Sequence, residues 1–331
     1  MTDSHGRVIR DLRLSITDRC NFRCVYCMDP GVRFMEREHL LATPEIIRVA
    51  RVAASLGVRK IRLTGGEPTL HPELTEIIGG IRAATGVEIA MITNASRLSR
   101  AALREWKNAG LERITISIDS LRPERFVRLT RSTCTPADVL DGVSMCLDEG
   151  LTPLKLNAVL IRGLNDDEAP ALAELARRYG IEMRFIEYMP LDSGRAWDPS
   201  KWVAAAETRH AIEARHDLVA CGDDEASSTA RTYRFADLPR DASARIGFIA
   251  PVSSPFCGAC SRLRLTADGK VRPCLFSTRE WDLRSLLRDS STSDDSLAEF
   301  LIDATWTKQA GHGIATPQFE QPARPMSAIG G

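Results

Sequence analysis

Short runs in which every second residue is apolar alternate with longer stretches whose apolar residues recur at helical spacing, from near the start of the chain to about Pro190. The short runs predict strands over residues 12–17, 59–64, 87–93, 113–119, 154–161 and 181–189, all rich in β-branched or aliphatic side chains. The longer stretches predict helices over residues 43–56, 72–84, 99–109, 135–149 and 165–179. Thr43 is placed to cap the first of them, with Pro44 in its opening turn. Gly57, Gly86, Gly110, Gly150 and Gly180 stand where helices should end, because a left-handed terminal residue suits glycine. Successive βα units imply an α/β fold, a parallel sheet with helices outside it, forming a closed or an incomplete barrel. Beyond Pro190 the alternation fails, which divides the chain into a βα region, 1–190, and a separate C-terminal region, 191–331.

The strand faces carry more information than the strand order. Leu12, Leu14 and Ile16 oppose Arg13, Ser15 and Thr17, and Ile61 and Leu63 oppose Lys60, Arg62 and Thr64. Ile114, Ile116 and Ile118 oppose Thr115, Ser117 and Asp119, and Leu154, Leu156 and Ala158 oppose Lys155 and Asn157. Helices must cover the apolar faces, so the polar faces converge inside. A closed barrel packs its interior with branched apolar residues, and polar groups there are costly unless partnered. The expectation is an open lumen filled by water or ligand, with Arg13, Arg62 and Lys155 pointing into it.

Composition narrows the function classes. The chain has 331 residues and no apolar run long enough to span a bilayer, and its first ten residues lack the apolar core of a secretory signal. Lys and Arg number 44 and so do Asp and Glu, which argues against a general nucleic-acid or membrane-binding surface and makes any cationic site local. Nine cysteines, six of them in two close sets, favour a reducing cytoplasm.

The first cysteine set is Cys20, Cys24 and Cys27 in the run TDRCNFRCVYC, directly after the first strand, where parallel βα folds place their sites. A structural zinc site wants a fourth Cys or His close by, and residues 28–38 contain none. An iron–sulfur cube held by three thiolates keeps one iron open to a small molecule. The second set is Cys257, Cys260 and Cys274, in which Asp268-Gly269 predicts a hairpin that carries Cys274 back towards the other two. A zinc knuckle with a remote fourth ligand stays open for this second set. Cys134, Cys146 and Cys221 are expected to be buried as small hydrophobes. After the second predicted strand comes Thr64-Gly65-Gly66-Glu67-Pro68, whose glycines let backbone approach a ligand closely.

The cysteine motif and the GGEP loop on a βα scaffold resemble those of radical S-adenosylmethionine enzymes. The run Arg10-Asp11-Leu12-Arg13-Leu14-Ser15, the second set ending in Cys274-Leu275-Phe276, and the terminal Arg324-Pro325-Met326-Ser327-Ala328-Ile329-Gly330-Gly331 narrow the resemblance. Together they are similar to the GTP 3′,8-cyclase family, also called the molybdenum cofactor biosynthesis protein A family, over essentially the whole chain.

The resemblance implies an incomplete, open βα barrel with a C-terminal cluster-binding region. It implies two [4Fe–4S] clusters, one on Cys20, Cys24 and Cys27 and one on Cys257, Cys260 and Cys274, with S-adenosylmethionine contacted by Tyr26, Gly66, Ser117 and Met189. GTP would meet Arg13, Arg62, Lys155, Arg262 and Arg264, and Gly330 with Gly331 would enter the site, where composition alone suggests a frayed end. The implied reaction generates a 5′-deoxyadenosyl radical, removes hydrogen from C3′ of GTP and joins C3′ to C8, giving 3′,8-cyclo-7,8-dihydro-GTP. No side chain is expected to act as a catalytic acid or base. A one-electron donor such as flavodoxin or ferredoxin and a downstream cyclic pyranopterin monophosphate synthase are the implied partners, and a homodimer is left open.

The chain departs from the family pattern at Ile92, where a threonine is usual, at Ala95, where glycine is common, and at Thr69-Leu70-His71-Pro72, which replaces a basic turn. Ile92 is accordingly left out of the expected site. A paralogous radical enzyme with an auxiliary cluster and another substrate, and a non-enzymatic iron–sulfur or zinc protein, stand as the rival functions.

Overall fold

The computed structural model describes residues 1–192, 197–222, 224–314, 316, 317 and 319–330. All six expected strands form: β1 (Asp11–Ser15), β2 (Lys60–Thr64), β3 (Glu88–Thr93), β4 (Arg113–Ser117), β5 (Lys155–Leu160) and β6 (Glu182–Glu187). They alternate with α1 (Thr43–Ser55), α2 (Leu74–Thr85), α3 (Arg100–Ala109), α4 (Pro123–Thr130), α5 (Pro136–Asp148) and α6 (Ala169–Tyr179). The strands pair in parallel in chain order. Their apolar faces, including Leu12, Leu14, Ile61, Leu63, Ile114 and Ile116, are buried in one continuous core with Ile46, Val49, Ile77, Leu103, Val139 and Leu172 of the helices. Each fully buried aliphatic side chain of this kind contributes about 1.5–3 kcal/mol relative to leaving it exposed.

The C-terminal region adds strands to both edges of this sheet. Beyond α7 (Ala205–Glu213) come β7 (Leu218–Ala220), β8 (Arg231–Phe235), β9 (Arg245–Ile249), β10 (Arg262–Leu265), β11 (Lys270–Arg272) and β12 (Trp281–Asp282), then α8 (Leu283–Arg288), α9 (Asp294–Trp306) and α10 (Met326–Ile329). β9 joins β6 in parallel and β10 joins β1 in parallel, giving an open sheet in the order β12-β11-β10-β1-β2-β3-β4-β5-β6-β9-β8-β7. The outer edges of β1 and β6 would otherwise present unpaired N–H and C=O groups, and strands of five residues or fewer from the C-terminal region satisfy them. No described helix is long and apolar enough to cross a membrane.

Local differences have local causes. Thr43 is the first helical residue rather than the cap, and its hydroxyl donates to the Glu73 carboxylate while Glu45 accepts the N–H of Ala42 at 2.7 Å. The last expected helix begins later than residue 165, because the Asn165 side chain is engaged with Asp119 O at 2.7 Å and Val159 O at 2.9 Å. α4 was not foreseen; it is short, and its place is set by Phe126 packing edge-on against Phe22, ring centroids 6.1 Å apart. Gly57, Gly86, Gly110, Gly150 and Gly180 all take positive φ at helix ends, as read from the sequence. Cys146 is buried, whereas Cys134 and Cys221 are only half-buried.

The GGEP loop is fitted against the cysteine loop. Gly66 N–H donates to Thr17 O at 2.8 Å and Glu67 N–H to Arg19 O at 2.7 Å. A Cβ on Gly65 would lie 2.4 Å from Thr17 O and one on Gly66 2.3 Å from Arg19 O. Close approach of two backbones already requires both glycines here. Glu67, 1 % exposed, then accepts from Thr69 Oγ1 at 2.6 Å, Thr93 Oγ1 at 2.7 Å and Asn94 N at 2.7 Å, tying the loops after β2 and β3 together.

Gly65→Ala meets both a steric clash and a left-handed φ of 153°, whereas Gly86→Ala at φ 64° meets open space. Urea unfolding should show a loss of about 2–3 kcal/mol for the first and about 1 kcal/mol for the second. Equal losses would refute the loop-contact explanation.

Candidate active site in the sheet lumen

The polar strand faces line a cavity of about 840 Å³. Strand register sets its charge pattern. Arg264 of β10, Arg13 of β1 and Arg62 of β2 are direct register partners, so three guanidinium groups stand side by side on one level. The adjacent level aligns Arg262, Asp11, Lys60 and Glu88. Farther round, Glu88 pairs with Lys60 at 3.2 Å and Arg113 at 2.9 Å, and Glu182 pairs with Lys155 at 2.7 Å and with Arg184. Lys155, expected to be available to a ligand, therefore already has a carboxylate partner. Arg13 and Arg62 have no hydrogen bond or ion pair from their side chains among the described residues.

Crowding among like charges is visible in their acidities. Burial, followed by the nearby Arg264, Arg62 and Arg262, pulls the Arg13 pKa well below its usual value. Burial, followed by Arg262, brings Arg264 down to about 10. A cluster of desolvated cations is stabilised by an anion placed among them.

Cys20, Cys24 and Cys27 lie on the loop after β1 and line the cavity. The turn is closed by Cys27 N–H to Cys24 O at 2.9 Å and braced by Arg23 Nη1 to Cys20 O at 2.6 Å. Tyr26, between two of the cysteines, donates its hydroxyl to Asp119 Oδ2 at 2.7 Å, and Asp119 Oδ1 accepts Val159 N–H at 2.9 Å. Burial raises Asp119 to about 6, against the lowering effect of those two bonds. Burial also pushes the Cys20 thiol up to about 11 and the Cys27 thiol up to about 12. Thiols in such surroundings ionise only when a bound cationic centre supplies the countercharge, as metal ligation does.

Cys257, Cys260 and Cys274 line the same cavity from the C-terminal region, with the expected hairpin formed by β10 and β11. Here Cys260 behaves oppositely: burial raises its pKa, but Arg262 and Lys308 outweigh it and hold the thiol near about 6. Arg262 Nη2 reaches Cys260 Sγ at 3.3 Å. Lys308 donates to Arg262 O at 2.9 Å and to Pro273 O, and Arg7 donates to Cys257 O at 2.8 Å and Ala310 O at 3.0 Å. These two cations brace the second cysteine loop, and neither was foreseen, since they lie about 250 and 35–50 residues away in sequence.

Among the described residues no three His, Cys, Asp or Glu side chains are arranged to hold a single ion, which a tetrahedral zinc site requires. A cube of irons instead spreads its thiolate ligands over several metal atoms, and two sets of three half-buried, unpaired cysteines fit that donor requirement.

Gly66, Ser117 and Met189 also line the cavity, so the cysteines and every residue expected to contact S-adenosylmethionine or GTP meet there. The chain's tail enters as well. Gly330 is buried at φ 81°, its carbonyl accepts from Arg264 Nη1 at 2.9 Å, and a Cβ on it would lie 2.7 Å from Thr64 Oγ1. Gly331 lies outside the described residues. Arg324 holds the tail through Asp268 at 2.9 and 2.7 Å and through Glu280 at 2.7 Å.

Ile92, left out of the expected site, lines the lumen. Ala95 takes a left-handed φ of 61°, where glycine would be easier, and its methyl packs where α5 has Gly142. Glu182 and Arg184 were missed as lumen groups, although the alternation that exposed Arg13 and Arg62 places both on one face of β6, whereas Asp119 lines the lumen as its strand face implies.

Residues 14–176 match the Radical SAM superfamily and residues 181–314 match Molybdenum Cofactor Synthesis C. The GTP 3′,8-cyclase of Streptomyces coelicolor is 45 % identical over 334 residues, covering 100 % of this chain and 96 % of the relative. The GTP 3′,8-cyclase of Corynebacterium glutamicum is 43 % identical, covering 100 % of this chain and 89 % of the relative. Among solved structures, Streptococcus suis SuiB bound to precursor peptide SuiA superposes with a TM-score of 0.64 at 14 % identity, covering 93 % of this chain and 67 % of that one. SuiB bound to S-adenosylmethionine gives 0.62 at 12 % identity, covering 86 % and 67 %. These two structures bear on the fold alone. With relatives of this similarity along its whole length, the chain belongs to the GTP 3′,8-cyclase family within the radical SAM superfamily.

Proposed function

We infer that the chain is a GTP 3′,8-cyclase, a lyase acting at the first step of molybdenum cofactor synthesis. The observation that carries this reading is the common cavity: two cysteine triplets and a row of three arginines line it together. A radical SAM enzyme holds a [4Fe–4S] cluster and S-adenosylmethionine, and Cys20, Cys24 and Cys27 would hold that cluster. When bound, this pair supplies the 5′-deoxyadenosyl radical that begins the reaction at C3′ of GTP. Tyr26, Gly66, Ser117 and Met189 would contact S-adenosylmethionine.

Cys257, Cys260 and Cys274 would carry a second [4Fe–4S] cluster, supported by the Arg262 and Lys308 charges that favour a thiolate at Cys260. Arg13, Arg62 and Arg264 suit the triphosphate, because guanidinium groups make paired bonds to phosphate oxygens and a polyanion relieves their mutual repulsion. Arg262 and Lys155 extend this cationic wall, Lys155 being shared with Glu182. Positioning is the main contribution of the protein: C3′ must sit beside the radical carbon. No side chain is assigned as a catalytic acid or base. The division near residue 190, a flavodoxin or ferredoxin as reductant, a downstream cyclic pyranopterin monophosphate synthase, a cytoplasmic location and a homodimer complete the reading.

Anaerobically prepared protein should contain iron and labile sulfide in amounts that fall by about half when Cys257, Cys260 and Cys274 are replaced together; zinc without labile sulfide would sink the cluster assignment. A single turnover with GTP, S-adenosylmethionine and dithionite should release 5′-deoxyadenosine and cyclised nucleotide together, and 5′-deoxyadenosine without loss of GTP would point to another substrate. Arg264→Ala should weaken GTP binding by about tenfold or more, read by calorimetry, with iron content unchanged. Loss of iron in that variant would contradict the role given to Arg264.

A further inference from the structure

The carboxylates that line the lumen are of two kinds. Asp11, Glu67, Asp119 and Glu187 accept from N–H or O–H groups of the protein, for instance Asp11 from Ser261 Oγ at 2.7 Å and Glu187 from Val252 N–H at 2.8 Å and Ser253 N–H at 2.9 Å. Asp224 likewise accepts from Thr232, and Glu225 from Ser227. Among the described residues Glu88 and Glu182 instead spend their side chains on cations. Glu182 gives one oxygen to each of two, Oε2 to Lys155 Nζ at 2.7 Å and Oε1 to Arg184 Nε. Glu88 Oε1 lies 3.2 Å from Lys60 Nζ and 2.9 Å from Arg113 Nε. Each carboxylate thus bridges a lysine and an arginine, an arrangement that one phosphate group could take over oxygen for oxygen.

These bridges adjoin the arginine row. The register level of Arg264, Arg13 and Arg62 continues through Ala90 to Arg113, so a single methyl group separates Arg62 from the first bridged cation. Glu88 stands two residues before Ala90, on the same face of β3. Gly247, the register partner of Arg184, leaves room for the second bridge: a Cβ there would lie 3.1 Å from Arg184 Cγ and 3.2 Å from Glu182 Oε1. Burial opposes the Glu182 charge, but Arg184 and Lys155 outweigh it and hold its pKa below the usual value. Burial, followed by Arg184, lowers Lys155, so the two cations disfavour each other and Glu182 is what reconciles them.

We propose that Glu88 and Glu182 are internal counter-ions, which hold these four cations in the place of substrate phosphates and yield them when the triphosphate binds. The proposal rests on reading a nucleoside triphosphate as the substrate. In the free enzyme the two carboxylates keep partly buried cations from standing unpaired, which would be costly. A triphosphate carries more charge than a carboxylate and offers paired oxygens to each cation, so it can displace a carboxylate that is already divided between two. A nucleoside without phosphates has nothing to exchange. Glu88 and Glu182 therefore oppose the part of the affinity that comes from phosphate, and they set how many phosphates tight binding requires.

The test measures binding to cluster-loaded enzyme by calorimetry, with inorganic tripolyphosphate, GTP and guanosine as probes. Five forms are compared: unmodified, Glu182→Gln, Glu88→Gln, Glu182→Asp, and Glu207→Gln, whose carboxylate pairs with Arg162 at 2.8 Å away from the lumen. At low salt each of the first two variants should bind tripolyphosphate and GTP about tenfold more tightly, and lose that gain as salt rises. Guanosine binding should not change. Glu182→Asp, which keeps the charge, and Glu207→Gln should follow the unmodified enzyme. Thermal midpoints of Glu182→Gln and Glu88→Gln should be lower without ligand and recover with tripolyphosphate, and either variant suffices where the other does not fold. Unchanged or weaker tripolyphosphate binding in a folded Glu182→Gln or Glu88→Gln variant would overturn the proposal. So would a matching gain for guanosine, or an equal gain in Glu207→Gln. Absence of cyclised nucleotide from the unmodified enzyme with dithionite would instead defeat the cyclase reading, since tripolyphosphate binding needs no turnover.

Discussion

Three guanidinium groups held side by side by parallel strand register are the constraint around which the lumen is organised. Arg264, Arg13 and Arg62 cannot separate without breaking the pairing of β10, β1 and β2, and that pairing is locked by the apolar faces of the same strands. A slip of one residue would turn Leu12, Leu14, Ile61 and Leu63 into the cavity and the arginines into the core, so hydrophobic burial fixes the charge pattern. The fold thus supplies the free energy that holds like charges together, and an anionic ligand recovers part of it on binding.

The two cysteine loops are electrostatic opposites. Around Cys20, Cys24 and Cys27 burial dominates and the thiols resist ionisation, whereas Arg262 and Lys308 favour a thiolate at Cys260. Buried charged groups also tie the loops of the site together across the sequence. Glu67 bonds the loop after β2 to that after β3, and Arg7 reaches from near the N-terminus to Cys257 O. Such groups are retained because the carbonyls and N–H groups they satisfy would otherwise be buried without partners.

The tail and the C-terminal strands complete what six βα units leave unfinished. β10 brings Arg262 and Arg264 to the open edge at β1, and Arg324 fastens the tail to Asp268 in the β10–β11 turn so that Gly330 O meets Arg264. One side chain therefore couples the lumen to the end of the chain, across 66 residues of sequence.

Period-two alternation by itself determined the six strands, their buried and polar faces, and Arg13 and Arg62 as lumen groups, because each property is local to a few residues. Cysteine spacing and the GGEP and tail motifs likewise carried the resemblance without any structure. Tertiary structure alone decided that C-terminal strands extend the sheet at both ends, since short strands are specified by the edges they meet rather than by their own pattern. It also decided that Lys155 is shared with Glu182 and that Gly65 and Gly66 answer to a neighbouring backbone. Arg7 and Lys308 beside the second triplet belong to the same class. In each case the partner is distant in sequence, and only packing brings the two within hydrogen-bonding or electrostatic range.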